Sequence, residues 1–342
     1  MGCSMTDNVI CSMAPGYVTK LDLIDTQVAI KLVKDTFERK LAEKLNILRV
    51  SAPLFVKCGS GLNDNLNGVE RPVSFDIKES GTHAEIVHSL AKWKRHALAS
   101  YGFTSGTGLY TDMNAIRRDE TADCLHSIYV DQWDWEKVIT SRDRNVEFLQ
   151  STVRNIYSAL LETEQAVIKA FPCLNSWLAK EITFITSQEL EDTYPDLTPS
   201  ERESAIAKKY GSVFVMQIGG KLRSGKKHDN RAPDYDDWTL NGDMLVYYPV
   251  LGRAVEISSM GIRVNKESLL AQLTAENMLE RLNLPFHSAL MNDKLPLSMG
   301  GGLGQSRICM ILLEKAHIGE VQASLWPDDV IADCKAHNIF LL

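Results

Sequence analysis

Two strand-like runs late in the chain do most to limit how it can fold. Residues 244–251 (MLVYYPVL) and 254–264 (AVEISSMGIRV) are rich in β-branched, aromatic and other apolar residues, and only Gly252 and Arg253 separate them. A short connection that contains glycine favours an antiparallel hairpin, because parallel strands need a crossover of about a dozen residues or more. The sequence therefore predicts antiparallel pairing at this point of a sheet.

Further helices and strands are predicted around this hairpin. Runs typical of helices lie at 25–46, 85–102, 145–170, 199–210 and 266–284. Runs typical of strands lie at 47–56, 71–78, 124–138 and 213–220. The expected fold class is α+β, with a mostly antiparallel sheet flanked by helices. No linker or repeat divides the chain, so we expect a disordered extension over residues 1–20 and a single domain over residues 21–342.

Composition and charge argue against several classes of protein. The 342 residues include 44 acidic and 37 basic side chains, and the net charge of −7 disfavours broad binding to nucleic acid. No apolar run reaches the roughly 18 residues that a membrane span needs. The seven cysteines occur singly, with no C-x-x-C pair, which favours a reducing compartment. We therefore expect a cytoplasmic protein.

The N-terminus carries one competing signal. Residues 1–6 (MGCSMT) match the pattern for myristoylation at Gly2, and Cys3 stands where a second lipid can be attached. Such short patterns often match by chance, and stable anchoring takes two lipid signals. Contact with a membrane is therefore expected only if Gly2 and Cys3 are acylated.

A glycine-rich string, GGGLGQSR, occupies residues 300–307. It matches neither the phosphate loop G-x-x-x-x-G-K-[ST] nor the dinucleotide fingerprint, which follows a first strand and precedes an acid by about 20 residues. Glycines still allow a backbone to approach a flat ligand, and Arg307 can then stack on adenine or bind a phosphate. Taken alone, the string favours an ordinary turn that leads into a helix.

Charged residues of the hairpin indicate a cation site. Asp243 stands at the entry to the first strand, and Glu256 and Ser258 share one face of the second. Two carboxylates on one surface repel unless a cation joins them, and Mg²⁺ bound to nucleotide phosphates takes one or two carboxylates. Arg263 has the opposite parity, but a bulge at Met260–Gly261 would redirect it. The alternative is an exposed sheet face with solvated acids.

A third cluster, NAIRRDE at 114–120, places Arg117 between strand-like runs. A guanidinium there can grip a phosphate with two hydrogen bonds, although a surface loop explains the pattern equally well. Together the clusters resemble the three signatures of the class II aminoacyl-tRNA synthetases. APLF (52–55) resembles the first signature, IRRDE (116–120) the second and GGGLGQSR the third.

Longer stretches narrow the resemblance to one family. VHSLAKWKR (87–95), SIYVDQWDWE (127–136) and RAPDYDDW (231–238) resemble the ammonia-dependent, A-type asparagine synthetases, also called aspartate–ammonia ligases. The similarity extends from about residue 20 to about residue 327. It implies a catalytic core like that of the class II synthetases and a reaction in two steps. The β-carboxylate of L-aspartate attacks the α-phosphate of ATP to give β-aspartyl-AMP and pyrophosphate, and ammonia then displaces AMP to give L-asparagine.

The resemblance also implies the residues that act. The expected catalytic residues are Asp64, Lys94, Arg117 and Arg307. The expected ligands of L-aspartate are Asp64, Lys94, Gln132, Asp134, Asp236, Ser259 and Arg263. The expected ligands of ATP and AMP are Arg117, Asp243, Glu256, Ser258, Gly302, Gly304 and Arg307, with Mg²⁺ at Asp243 and Glu256. A homodimer is implied, and no nucleic-acid partner.

Free ammonia is the expected nitrogen donor. Glutaminases with an N-terminal nucleophile need a cysteine as first residue, whereas removal of Met1 would expose Gly2 rather than Cys3. Two other functions stay open: an aspartyl-tRNA synthetase-like core that charges tRNA, and a non-catalytic synthetase relative that only binds. The acidic balance counts against the first. The second usually lacks a signature arginine or metal acid, and this chain keeps both kinds.

Overall fold

The computed structural model describes residues 16–63 and 70–342. The helices are α1 (Leu23–Leu45), α2 (Ala91–Ser100), α3 (Val146–Ala170), α4 (Ser187–Thr193), α5 (Pro199–Tyr210), α6 (Lys266–Ala275), α7 (Pro285–Met291), α8 (Gln305–Leu312) and α9 (Asp328–Ala336). The strands are β1 (Ile47–Arg49), β2 (Phe55–Lys57), β3 (Ser74–Ile77), β4 (Thr82–Ile86), β5 (Gly108–Ile116), β6 (Tyr129–Val138), β7 (Thr183–Thr186), β8 (Ser212–Met216), β9 (Asp236–Tyr248), β10 (Arg253–Arg263) and β11 (Ser298–Gly304).

The strands of the described residues form a large and a small sheet. In the large sheet the order is β1-β5-β6-β11-β10-β9-β8-β7, and the small sheet has the order β2-β4-β3. Within the large sheet β1 pairs with β5, and β7 with β8, in parallel, while the central pairings are antiparallel. Helices flank this sheet, so the predicted α+β class is confirmed.

The strands β9 and β10 form the predicted antiparallel hairpin. Its register shifts once between Glu256 and Ser258 and again between Gly261 and Arg263. The second irregularity lies next to the place where the sequence predicts a bulge, and it brings Arg263 opposite Asp236. An extra residue in one strand changes which face the following side chains occupy. The hairpin therefore carries both its acids and Arg263 into one region.

The glycine string is a strand and not a turn. Most of it lies in β11, which pairs with β6 on one side and with β10 on the other. A Cβ on Gly301 would lie 2.5 Å from the Cβ of Met260, and one on Gly302 would lie 2.3 Å from Oε1 of Gln132. Neighbouring strands thus leave no space for side chains. The prediction of an ordinary turn was wrong, although α8 does follow at once.

Two predicted helices are shorter than expected, whereas those at 25–46, 145–170 and 199–210 match α1, α3 and α5. The run 85–102 begins with Glu85 and Ile86 at the end of β4, and α2 starts only at Ala91. Between them, Val87 packs into the small core beside β2. The run 266–284 is α-helical only in α6. The chain turns at Asn277, whose φ of 57° lies in the left-handed region that ends helices.

The main hydrophobic core covers one face of the large sheet, beneath α1, α3 and α8. Trp133 and Trp135 of β6 are fully buried in it, and the ring of Phe37 from α1 lies 4.8 Å from that of Trp133 between centroids. Side chains alternate across a strand, so Asp134 and Glu136 point to the opposite face. That face carries the polar residues of the site.

Some predictions concern residues outside the described part of the chain. Gly2 and Cys3 belong to residues 1–15, and Asp64 belongs to residues 64–69. The boundary of the single domain likewise stays a prediction. Over residues 16–63 and 70–342, the helices are too short or too polar to cross a membrane.

Gly301→Ala is expected to destabilise the fold by about 1–3 kcal/mol, the usual cost of overpacking. The new methyl carbon would lie 2.5 Å from the Cβ of Met260 and 2.7 Å from the carbonyl oxygen of Ser259. Gly220→Ala is the matched control, since nothing lies within 4 Å of its Cβ position. Unfolding in denaturant, followed by circular dichroism, measures the difference. Equal stability of the two variants would contradict this packing.

Candidate active site

A cavity of about 490 Å³ lies on the polar face of the large sheet. Most of the residues singled out from the sequence line it: Lys94, Arg117, Gln132, Asp134, Asp236, Glu256, Ser258, Ser259, Arg263, Gly302, Gly304 and Arg307. Asp64 lies outside the described residues. Asp243 lines a neighbouring cavity of about 210 Å³, which Glu256 also lines. The fold therefore brings together residues that are far apart in sequence, such as Lys94 and Gly301, which are separated by 207 positions.

Arg263, only 2% exposed, lies between two carboxylates. Its Nε and Nη2 donate to Glu136 at 3.0 and 2.7 Å, and its Nη1 donates to Oδ1 of Asp236 at 2.5 Å. Burial alone would lower the pKa of Arg263, but Glu136 and Asp236 raise it above its usual value. For Asp236 the balance is reversed, because burial raises its pKa more than Arg263 lowers it. The cation at this position is permanent.

Lys94 reaches the sheet from α2. Its Nζ donates to the carbonyl oxygen of Gly301 at 2.9 Å and lies 3.2 Å from Oδ2 of Asp134. Burial lowers the pKa of Lys94, and Asp134 offsets part of that effect. An ammonium group has three N–H donors, so at least one remains for a ligand in the cavity.

Arg117 and Arg307 supply two further cations. Arg117 directly follows β5, and its buried Nε has no hydrogen-bond partner among the described residues. A buried donor without a partner costs about 1–3 kcal/mol. Such a group calls for an explanation, and a ligand that accepts from Arg117 would provide one. Arg307 lies in the first turn of α8, where its Nη1 donates to the carbonyl oxygen of Glu256 at 2.9 Å. This contact places Arg307 beside one of the predicted metal ligands.

The carboxylate of Asp243 forms an ion pair with an arginine of the same chain. Nη2 of Arg231 pairs with Oδ2 of Asp243, while Nη1 of Arg231 pairs with Asp229 at 2.8 Å. Burial raises the pKa of Asp243 well above its usual value; Arg231 opposes this shift, and Glu256 and Glu203 add to it. Arg231 therefore offsets only part of the effect of burial and of the neighbouring carboxylates Glu256 and Glu203 on Asp243.

The two acids suit a metal ion that arrives with a nucleotide. Across residues 16–63 and 70–342, no three His, Cys, Asp or Glu side chains are grouped so as to hold a metal alone. Mg²⁺ usually takes one or two carboxylates and completes its shell with water and phosphate oxygens. Asp243 and Glu256 fit that requirement, since they are two carboxylates that line the same small cavity.

Behind the cavity, the fully buried carboxylate of Asp234 gathers several cations. Its Oδ2 lies 3.0 Å from Nζ of Lys92, 2.9 Å from Nη1 of Arg281 and 2.9 Å from Nε2 of His287. These partners come from α2, from the turn after α6 and from α7. Asp234 stands two residues before Asp236, the first residue of β9. It therefore helps to fix the chain that presents Asp236 to the cavity.

Three charged residues near the site were missed by sequence reasoning: Arg231, Asp234 and Glu136. The sequence could have predicted that Glu136 faces the site. Side chains two residues apart share one face of a strand, so Glu136 lies on the same face of β6 as Gln132 and Asp134. For Arg231 no local signal existed, since a charged loop is compatible both with a lid over a ligand and with simple solvation.

The sequence model of the aspartate–ammonia ligases matches residues 24–338. This chain belongs to the aspartate–ammonia ligase family. A member from Clostridium perfringens is 62% identical over 328 residues, which cover 96% of this chain and 98% of the relative. A member from Fusobacterium nucleatum is 59% identical over 326 residues, which cover 95% of this chain and 99% of the relative. The family predicted from the sequence is confirmed.

Solved structures agree on the fold. An asparaginyl-tRNA synthetase from Entamoeba histolytica superposes with a TM-score of 0.62 at 16% identity, covering 87% of this chain and 67% of that one. One from Pyrococcus horikoshii, complexed with asparaginyl-adenylate, gives a TM-score of 0.63 at 16% identity, covering 88% of this chain and 70% of that one. This chain therefore has the fold of the class II synthetases, as predicted.

Asp234→Asn is expected to lower the thermal midpoint at neutral pH, because breaking a buried ion pair costs about 3–5 kcal/mol. Burial would raise the pKa of Asp234, but Lys92, His287 and Arg281 together hold it well below its usual range. Such a carboxyl adds stability above its unfolded pKa of about 3.9, and this stability is lost as the pH falls toward the folded value.

Thermal unfolding of Asp234→Asn and the unmodified protein, followed from neutral pH down to about pH 3, checks this expectation. The gap between the two midpoints should narrow below about pH 4. Asp35→Asn is the control, since Asp35 is exposed and pairs with Lys31 one turn away. A gap for Asp234→Asn that stays constant over the whole range would contradict the assignment.

Proposed function

We propose that this protein synthesises L-asparagine from L-aspartate, ammonia and ATP through a β-aspartyl-adenylate, with release of pyrophosphate and AMP. One observation carries the proposal: Lys94, Arg117, Arg263 and Arg307 converge on one cavity. A triphosphate and a dianionic amino acid together need this much positive charge. Membership of the aspartate–ammonia ligase family supports the same reaction.

Adenylation solves a problem of leaving groups. A carboxylate resists attack by ammonia because the group expelled would be oxide. When the β-carboxylate oxygen bonds to the α-phosphorus, the bond to pyrophosphate breaks and the carbonyl gains AMP as a leaving group. Ammonia then forms the new C–N bond, AMP leaves with the bridging oxygen, and a base takes the surplus proton. We assign Asp64 as the assisting base.

L-Aspartate would bind between α2 and the sheet. Arg263 and Lys94 would hold the carboxylate that does not react, since both have N–H donors left after their contacts within the protein. The ammonium group would lie among oxygen acceptors of the same cavity, a role that we assign to Gln132, Asp134, Asp236 and Ser259. We assign the same role to Asp64, which lies outside the described residues.

The phosphates would bind near the other end of β10. Arg117 has an unpaired buried N–H that suits the α-phosphate, and Arg307 would balance charge on the phosphates from α8. When bound, Mg²⁺ at Asp243 and Glu256 would neutralise phosphate charge and help to orient the nucleotide. The bare backbone at Gly302 and Gly304, with Ser258 opposite, would admit the nucleotide close to the sheet. Catalysis in the first step is then largely a matter of positioning and charge balance.

The family resemblance supports a homodimer, and the singly placed cysteines favour a reducing compartment. We propose a homodimeric cytoplasmic enzyme with one catalytic domain over residues 21–342 and no nucleic-acid partner. Contact with a membrane would require acylation of Gly2 and Cys3.

An assay of products tests the proposed function. Purified protein with L-aspartate, ATP, Mg²⁺ and ammonium should release asparagine and AMP in equal amounts. Replacing ammonium with glutamine should remove most of the product. Formation of ADP, or transfer of aspartate to tRNA in place of asparagine synthesis, would overturn the proposal.

Arg307→Ala is expected to slow turnover roughly a hundredfold, because a charge-assisted hydrogen bond in a dry site contributes about 1.5–3 kcal/mol. Steady-state rates of AMP release at saturating substrates measure this loss. Arg154→Ala is the control, because Arg154 is an exposed arginine on α3. A variant at Arg307 with near-normal turnover would refute the role given to this residue.

A further inference from the structure

The carboxylate of Glu136 is fully buried behind Arg263 and does not line the cavity. It accepts hydrogen bonds from Nε of Arg263 at 3.0 Å, from Nη2 of Arg263 at 2.7 Å and from Oγ of Ser298 at 2.7 Å. Burial would raise the pKa of Glu136, but Arg263 lowers it below its usual value, so the group stays ionised. Its two oxygens are thereby fixed from several sides.

The contact with Glu136 decides which donors Arg263 can offer to a ligand. A guanidinium has five N–H groups. Glu136 engages the one on Nε and one on Nη2, and Asp236 engages one on Nη1. One N–H on each terminal nitrogen is left to donate to a ligand carboxylate. Rotation of the guanidinium would break this arrangement.

The strand β11 is built around the same contact. A Cβ on Gly300 would lie 2.0 Å from Oε2 of Glu136 and 2.6 Å from Nη2 of Arg263. Gly300 pairs directly with Glu136 in the sheet and with Gly261 on its other side. The first glycine of the string thus makes room for the ion pair. This part of the glycine string serves the amino-acid end of the cavity, whereas Gly304 lies towards α8.

We propose that Glu136 is a positioning residue for L-aspartate: it holds the guanidinium of Arg263 in the orientation that receives the non-reacting carboxylate. This inference rests on the proposed function. Glu136 should then affect the affinity for aspartate but not the affinity for ATP. Its hydrogen bonds come from Arg263 and Ser298, and not from Arg117 or Arg307, which would bind the phosphates.

The variant Glu136→Gln tests the proposal in the full-length enzyme. Glutamine keeps the shape beside Gly300, but it carries no negative charge, and an amide donor replaces one of the two acceptor oxygens of Glu136. It therefore holds the guanidinium of Arg263 less firmly. The KM for aspartate should rise about 10- to 100-fold, the range of one charge-assisted hydrogen bond, while the KM for ATP stays within about twofold. A merely structural role would lower the amount of active enzyme and leave both KM values unchanged.

Glu164→Gln is the matched control. Glu164 on α3 is equally buried and accepts hydrogen bonds from Ser176, Trp177 and Leu178, far from Arg263 in the fold. Its variant should change stability without changing either KM. If Glu136→Gln does not fold, Ser298→Ala removes only one hydrogen bond to Glu136 and should raise the KM for aspartate in the same direction by a smaller factor.

A double-mutant cycle with Arg263→Lys identifies the route. Lysine has no planar guanidinium to orient, so Glu136→Gln should change the KM for aspartate by less than about threefold in that background. The same factor in both backgrounds, a parallel rise in both KM values, or an unchanged KM for aspartate would overturn the proposal. If the unmodified protein makes no asparagine, the proposed function fails instead, so the two failures are distinguishable.

Discussion

The ion pairs of Arg263 with Glu136 and Asp236 are the contacts on which the rest of the site depends. They join β6, β9 and β10 through groups that are almost wholly removed from water. Burying a charge costs several kcal/mol unless partners with good geometry surround it, and removing one partner leaves the others uncompensated. A fold that needed only stability would place apolar residues here. The charged groups that stand here instead support our proposal that the cation of Arg263 serves a ligand.

The backbone around this charge cluster is bare for a physical reason. Gly300 gives space to the Glu136–Arg263 pair, and a Cβ on Gly261 would lie 2.9 Å from Oδ1 of Asp236. Gly302 gives space to Gln132 in the same way. The glycines of β11 therefore do not form a flexible phosphate loop. They lie in a central strand, and side chains of the neighbouring strands fill the space beside them: Glu136 and Arg263 at Gly300, Met260 at Gly301 and Gln132 at Gly302.

Much of this architecture could be predicted from the sequence, and the failures have clear causes. The spacing around Gly252 predicted the hairpin, and the motifs around Lys94, Arg117 and Arg307 predicted residues that line one cavity. Local pattern could not show that the glycines of β11 lie between two strands. One neighbouring strand, β6, is more than one hundred residues away in sequence, and the other, β10, belongs to the separate hairpin. It also could not show that Arg231 pairs with Asp243, since loop conformation depends on the whole fold.

The central claim is that the cavity holds one carboxylate of aspartate at Arg263 while the other is joined to AMP. The most direct test uses L-aspartate whose β-carboxylate oxygens are the heavy isotope, with ammonium, ATP and Mg²⁺. The account predicts that each AMP released carries one heavy oxygen, because the bridging oxygen leaves with AMP. AMP without the label, or label in inorganic phosphate formed together with ADP, would contradict the account.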